Sequence, residues 1–186
     1  FSDNPDFLIC SVYGRRFRRF NCHRIQYVGE VQRPDYREVD HVFATCNFPA
    51  DESRRYRLPN FVLSDDLTKL TAAKPPREQL LEGRDRFCNF IFSNPRCVRR
   101  NEFFHKLCRY KKVDAGGRLF NNIGGPIEGA FSGKREFMKR CRFTICFENE
   151  IAPGWVTEKL FEALLMGTVP IYWGAPDVAN DFNPKA

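Results

Sequence analysis

The residues best suited to chemistry lie in one short stretch. Glu148 and Asn149 close the apolar run Phe143-Thr-Ile-Cys-Phe147, and Thr157-Glu158-Lys159 opens a segment in which Leu160, Phe161, Leu164 and Leu165 recur at helical spacing. A helix start offers backbone N–H groups and a partial positive charge, a natural seat for phosphate. Lys159 adds a full positive charge within reach, and Glu158 can accept hydrogen bonds from sugar or ribose hydroxyls. Spacing alone equally allows Glu158 to be a first-turn residue complementing the helix dipole and Lys159 to be a surface charge. Two further residues could join such a site. Glu30 follows the apolar run Ile25-Gln-Tyr-Val28, where a carboxylate could take a proton or simply be solvated in a turn. Arg100 opens a helical pattern and suits bidentate phosphate binding, or plain surface solvation.

The elements that would position these residues are legible as alternating strands and helices. Gly167 stands where a helix C-cap belongs, and Val169-Pro-Ile-Tyr-Trp173 follows as a strand. Strand, helix and strand within about thirty residues make a βαβ unit, whose strands should be parallel. Ligands of parallel α/β sheets bind beyond the carboxyl ends of the strands, where Glu148, Asn149 and the Thr157 helix start would lie. Upstream, Phe87–Phe92 reads as a strand, Arg99–Tyr110 as a helix and Lys134–Arg140 as a short basic helix. Phe7–Val12, Ile25–Val28 and His41–Thr45 read as buried strands; Leu58–Leu63, broken by Pro59, is a weaker one. Thr71-Ala-Ala-Lys-Pro-Pro-Arg77 is the best linker, which sets an expected division into 1–76 and 77–186.

Composition bounds the answer. The chain has 186 residues, 42% hydrophobic and 28% charged, enough for one large or two small domains with a core. No run approaches the length of a membrane span and no signal peptide opens the chain. Both ends read as abrupt, so a chain truncated at each end is expected. A net charge of +7 favours anionic partners. Five Arg and no acid lie between Arg15 and Arg24, and seven basic residues against Glu102 lie between Arg96 and Lys112. The eight Cys show neither a CxxC pair nor a compact disulfide framework, and with three His they support no zinc site. A reducing compartment is expected.

Cys146-Phe-Glu-Asn149, Gly154-Trp-Val-Thr-Glu-Lys-Leu160, Gly167-Thr-Val-Pro-Ile-Tyr-Trp-Gly174 and Asp181-Phe-Asn-Pro-Lys185 resemble the signature of the α-1,3/4-fucosyltransferases, particularly their bacterial branch. Ser93-Asn94-Pro95 with Arg100-Asn101, and Tyr27-Val-Gly-Glu30, extend the resemblance upstream. It implies an α/β, GT-B-like fold: two Rossmann-like halves with parallel sheets facing a cleft, an acceptor side carrying the base and a side binding GDP-sugar. It implies inverting transfer of fucose from GDP-fucose to an acceptor glycan, GlcNAc or Glc in α-1,3 linkage, on an oligosaccharide, a lipopolysaccharide O-antigen or a glycoprotein. By the same resemblance Glu30 is the catalytic base, Arg100 and Lys159 contact the diphosphate, and Asn149 and Glu158 contact ribose or fucose. Trp155 falls at a donor-binding position where the family has Tyr, and Glu150 replaces a small hydroxyl residue. No cofactor is required by the resemblance, although it accommodates stimulation by manganese. It places the protein in the cytoplasm, peripherally on the inner face of a bacterial membrane, or in the Golgi lumen of a eukaryote. The chain also lacks the Asp-x-Asp pair with which many sugar transferases hold a metal, which points to metal-free stabilisation of the leaving group.

Three other readings compete. A retaining transferase would show E-x7-E before alanine and a Gly–Pro turn; Glu150 and Glu158 have that spacing, but anchoring on Glu162-Ala163 puts the first acid on Gly154. A nucleic-acid-binding protein would use Arg15–Arg24 with Tyr13, Phe17 and Phe20 interleaved, yet it leaves Thr157-Glu158-Lys159 unexplained. An inactive fragment or lectin-like remnant is the third.

Overall fold

The computed structural model describes residues 3–47, 53–64, 66–73 and 75–184, apart from the side chains of Arg77 and Ala130. The chain forms two compact units. One comprises residues 1–63, 151–156 and 174–186; the other comprises 64–150 and 157–173.

The first unit holds a four-stranded parallel sheet of β1 (Phe7–Ser11), β2 (His23–Val28), β3 (His41–Ala44) and β4 (Arg55–Arg57), in that spatial order. Phe17, Val28, Val39, Val42 and Ala44 form its core. The three expected strands are present, but β1 is an edge strand with Phe7 and Ile9 exposed and so is not buried as expected. Leu58–Leu63 is not a strand: Asn60–Leu63 coils into a 3-10 turn after Pro59, which can give a ladder no N–H. Among the described residues this unit has only 3-10 turns and no α-helix, so its likeness to a Rossmann half lies in the parallel sheet. The run Arg15–Arg24 is partly structural. Arg16–Arg19 form a 3-10 turn that buries Phe17, Arg18 pairs with Glu38, and Arg24 donates to the carbonyls of Phe20 at 2.7 Å and Glu38 at 3.2 Å.

In the second unit two short helices, α1 (Leu67–Thr71) and α2 (Arg77–Leu81), precede β5 (Arg86–Phe90), α3 (Val98–Tyr110), β6 (Val113–Ala115), α4 (Ala130–Lys139), β7 (Cys141–Phe147), α5 (Glu158–Leu165) and β8 (Val169–Trp173). The sheet is parallel throughout, in the order β6-β5-β7-β8. Its apolar strands fit a sheet covered on both faces. Phe90 meets Phe104 of α3 with ring centroids 4.5 Å apart, and Phe103 stacks on Phe147 at 4.8 Å. Part of the high Phe content is thus spent on this helix–sheet interface. Helix α5 buries Leu160, Phe161 and Ala163, and Gly167 follows it at φ +67°, the left-handed conformation that ends a helix. Arg84 donates to the terminal carbonyl of Met166 at 2.7 Å.

The division differs from the expected break at 76/77. The proline-rich stretch connects α1 to α2 inside the second unit, and the chain returns to the first unit at 151–156 and 174–186. In that unit Arg57 holds the Asp181 carboxylate with two hydrogen bonds of 2.7 and 2.5 Å, and Asp177 accepts from the Gly154 amide at 2.7 Å and from Asn47 at 3.2 Å. Gly154 has φ +72°, and a Cβ there would lie 2.7 Å from the Asn47 side chain, so the loop needs glycine on both counts.

Candidate donor site and base segment

The order β6-β5-β7-β8 contains a reversal. The chain runs from β5 outward to β6, then returns to the other side of β5 as β7. Beyond the carboxyl ends of the strands at such a switch point, doubly wound sheets hold ligands. Asn94 follows β5 and Glu148-Asn149 follow β7 at this position.

Glu148 is fully buried. Its amide donates to the Trp173 carbonyl at 2.8 Å, fixing the ends of β7 and β8. Its carboxylate accepts from the Thr157 amide at 2.8 Å, from the Thr157 hydroxyl at 2.8 and 3.0 Å, and from the Lys159 ammonium at 3.0 Å. The first donor of the α5 start therefore serves the protein's own carboxylate, which acts as a long-range cap. Lys159 also donates to the Thr157 hydroxyl at 2.8 Å and lies 3.6 Å from Glu158. Burial works against the Lys159 charge, but Glu148 and then Glu158 outweigh it and hold its pKa above the ordinary value. Burial likewise pushes Glu158 up, and Lys159 with neighbouring donors pulls it below the usual range. The Glu158 side chain remains about half exposed.

Arg100 lies beneath this edge, fully buried, with its guanidinium 4.1 Å from the centre of the Phe92 ring. It donates to the Asn149 side-chain carbonyl at 2.8 Å and to the Asn94 backbone carbonyl at 2.6 Å, so it ties the two sides of the switch point together. Burial lowers its pKa, partly offset by Cys97 and Glu148. The guanidinium of Arg100, expected at the diphosphate, is enclosed here and orients Asn149. Glu148, expected at this edge from the sequence but given no role there, is the centre of the cluster.

Glu30 and Trp155 belong to the first unit. Glu30 is exposed just past β2, and its carboxylate accepts from the Tyr13 hydroxyl at 3.4 Å. Trp155 is 2% exposed, packed with Cys46, Ala152 and Val31. Its indole N–H donates to the Gly29 carbonyl at 3.0 Å. The structure thus places the Trp155 indole, expected at a donor-binding position, against the peptide that precedes Glu30.

This geometry defines the class first: a parallel-sheet α/β protein with a charged, hydrogen-bonded cluster at a switch point. The family follows from sequence comparison. Residues 81–186 match the model of glycosyltransferase family 10 (fucosyltransferase), C-terminal part, and residues 1–64 match the N-terminal domain of alpha-(1,3)-fucosyltransferase FucT. The chain belongs to glycosyltransferase family 10. It is 42% identical over 100 residues to alpha-(1,3)-fucosyltransferase FucT of Helicobacter pylori, covering 54% of this chain and 20% of that protein. It is 24% identical over 151 residues to GDP-fucose protein O-fucosyltransferase 3 of Homo sapiens, covering 75% of this chain and 32% of that protein. A crystal structure of an alpha1,3-fucosyltransferase superposes with a TM-score of 0.79 at 27% identity, over 97% of this chain and 60% of that one. An alpha1,3-fucosyltransferase structure with GDP-fucose gives 0.75 at 29% identity, covering 97% and 59%. The fold is thus the GT-B type with two parallel-sheet units. The chain spans from a fifth to a third of those two curated relatives. Family membership supports the glycosyltransferase reading.

Proposed function

We propose that this chain supplies the GDP-fucose site and the base-bearing segment of an inverting α-1,3-fucosyltransferase. The observation that carries this reading is the buried Glu148–Thr157–Lys159 cluster beside Arg100–Asn149, at the switch point of a family 10 chain. In the proposed reaction Glu30 takes the proton of an acceptor hydroxyl, whose oxygen attacks the anomeric carbon of fucose while the bond to GDP breaks on the opposite face. Lys159 and the start of α5 stabilise the departing diphosphate, with the Arg100 charge behind Asn149 adding to the field. Glu158 and Asn149 hold hydroxyls of ribose or fucose. The proposed acceptor is a GlcNAc or Glc residue of an oligosaccharide or lipopolysaccharide. We place the protein in the cytoplasm, peripherally at the membrane, a reading supported by eight free cysteines. Likeness to a protein O-fucosyltransferase over 75% of the chain favours a second acceptor class, a protein hydroxyl.

NMR of the product decides the stereochemistry: the fucosyl linkage should have the anomeric configuration opposite to that of the donor. Retention would favour the E-x7-E reading. An acceptor panel of GlcNAc, Glc and polypeptide distinguishes the two acceptor classes.

Without an Asp-x-Asp pair, the diphosphate site should also work metal-free. GDP affinity measured by calorimetry should be nearly the same in excess EDTA as without it. Loss of binding in EDTA, restored by manganese, would show that a divalent ion holds the diphosphate.

A further inference from the structure

We infer that Trp155 is a positioning residue for the Glu30 carboxylate, an inference that rests on the reading of Glu30 as base. The Gly29 carbonyl receives two hydrogen bonds from the same unit: the Trp155 indole N–H at 3.0 Å and the Asn60 side-chain amide at 3.2 Å. Asn60 is itself fixed, accepting from the Thr45 hydroxyl at 3.0 Å and from the Tyr27 hydroxyl. The site is tight around Gly29. A Cβ at Gly29 would lie 3.0 Å from the Asn60 side-chain oxygen and 3.2 Å from the Tyr27 ring. The peptide that precedes Glu30 is thus clamped by two donors, while the Glu30 side chain is exposed and meets the Tyr13 hydroxyl at 3.4 Å.

An exposed carboxylate has many rotamers, and a general base must lie within hydrogen-bond reach of the proton it takes. Fixing its backbone removes part of that freedom. Trp155 suits this task because its ring is enclosed by Cys46, Ala152 and Val31 and its only polar atom reaches Gly29. The loop that carries it, residues 151–156, is flanked in sequence by Asn149-Glu150 on one side and Thr157-Glu158-Lys159 on the other. Phe at this position would fill similar space without the N–H, and Gly29 would keep one donor.

The test is a double-mutant cycle in the full-length protein, with turnover measured at saturating GDP-fucose and GDP affinity measured separately. Trp155→Phe should lower kcat about tenfold, since misplacement by a fraction of an ångström is costly in catalysis. GDP affinity should stay within about twofold. In a Glu30→Gln background the same substitution should have no further effect, because only a working base needs positioning. Asn60→Ala, which removes the second donor, should reproduce the pattern if Trp155→Phe fails to fold. Equal losses in both backgrounds would reduce Trp155 to a structural residue and overturn the inference. Weakened GDP binding at unchanged kcat would restore the donor contact and overturn it as well. Glu30→Gln retaining wild-type turnover would remove the base itself, an outcome separable from the other two.

Discussion

Replacing Glu30 by Gln should lower turnover by about a hundredfold or more, with GDP affinity unchanged. General-base assistance contributes about 10²–10⁴ in rate, and a carboxamide of the same shape accepts no proton. The substitution is mild for the fold, since the side chain is exposed and its recorded partner is the Tyr13 hydroxyl at 3.4 Å, which an amide oxygen can also accept. A loss of activity would therefore report on chemistry, and an unchanged melting temperature would confirm that the protein is intact. The donor cluster draws on residues of the other unit, Arg100, Glu148, Asn149, Glu158 and Lys159, so calorimetric GDP binding should be the same in wild type and mutant. Wild-type turnover in Glu30→Gln would exclude this residue as the base. A parallel loss of GDP affinity would instead move Glu30 to the donor side of the reaction.

What could be read in advance follows from the physics of each element. β7, α5 and β8 were legible because each is a long apolar run or a clear helical stripe closed by glycine. β6 was missed because Val113-Asp-Ala115 has a charge at its centre; Asp114 is nonetheless buried, 3.1 Å from Arg86. β4 was hidden by its two arginines, which reach the Cys46 carbonyl and Asp181. Helices of five residues, α1 and α2, are too short for periodicity to show. The discontinuous units were invisible for a different reason. They are held by pairs such as Arg57–Asp181, 124 residues apart, and spacing along one chain does not encode them. The site divides in the same way. Glu158 and Lys159 were found through their place at a helix start, whereas Glu148 became central only when its partners Thr157 and Lys159 came into reach. The Trp155 indole shows the same: its N–H meets the Gly29 carbonyl, 126 residues away in sequence, a partner that spacing does not encode.

Glu148→Ala should be the most destabilising single change among the site residues. Its carboxylate satisfies the Thr157 amide, the Thr157 hydroxyl and the Lys159 ammonium, all within 3.0 Å. Removing it strands a buried amide at a helix start and leaves Lys159, with only 17% of its side chain exposed, facing Glu158 at 3.6 Å. Breaking a buried ion pair on one side costs about 3–5 kcal/mol. For a protein of this size that corresponds to a fall in Tm of about 6–20 °C. Glu158→Gln provides the contrast: its side chain is 49% exposed, so its loss should cost no more than about 1 kcal/mol. The pH dependence has a definite sign. The Lys159 pKa is raised in the folded protein, so its contribution is fully present below the unfolded value of 10.5 and is lost as pH climbs through the higher folded value. The wild type should therefore lose this increment only in the alkaline range, and a melting series from pH 7 to 11 should narrow the gap to Glu148→Ala at its upper end. Equal Tm for Glu148→Ala and wild type at pH 7 would show that the α5 start is held without the carboxylate, and the donor site would then need another organiser.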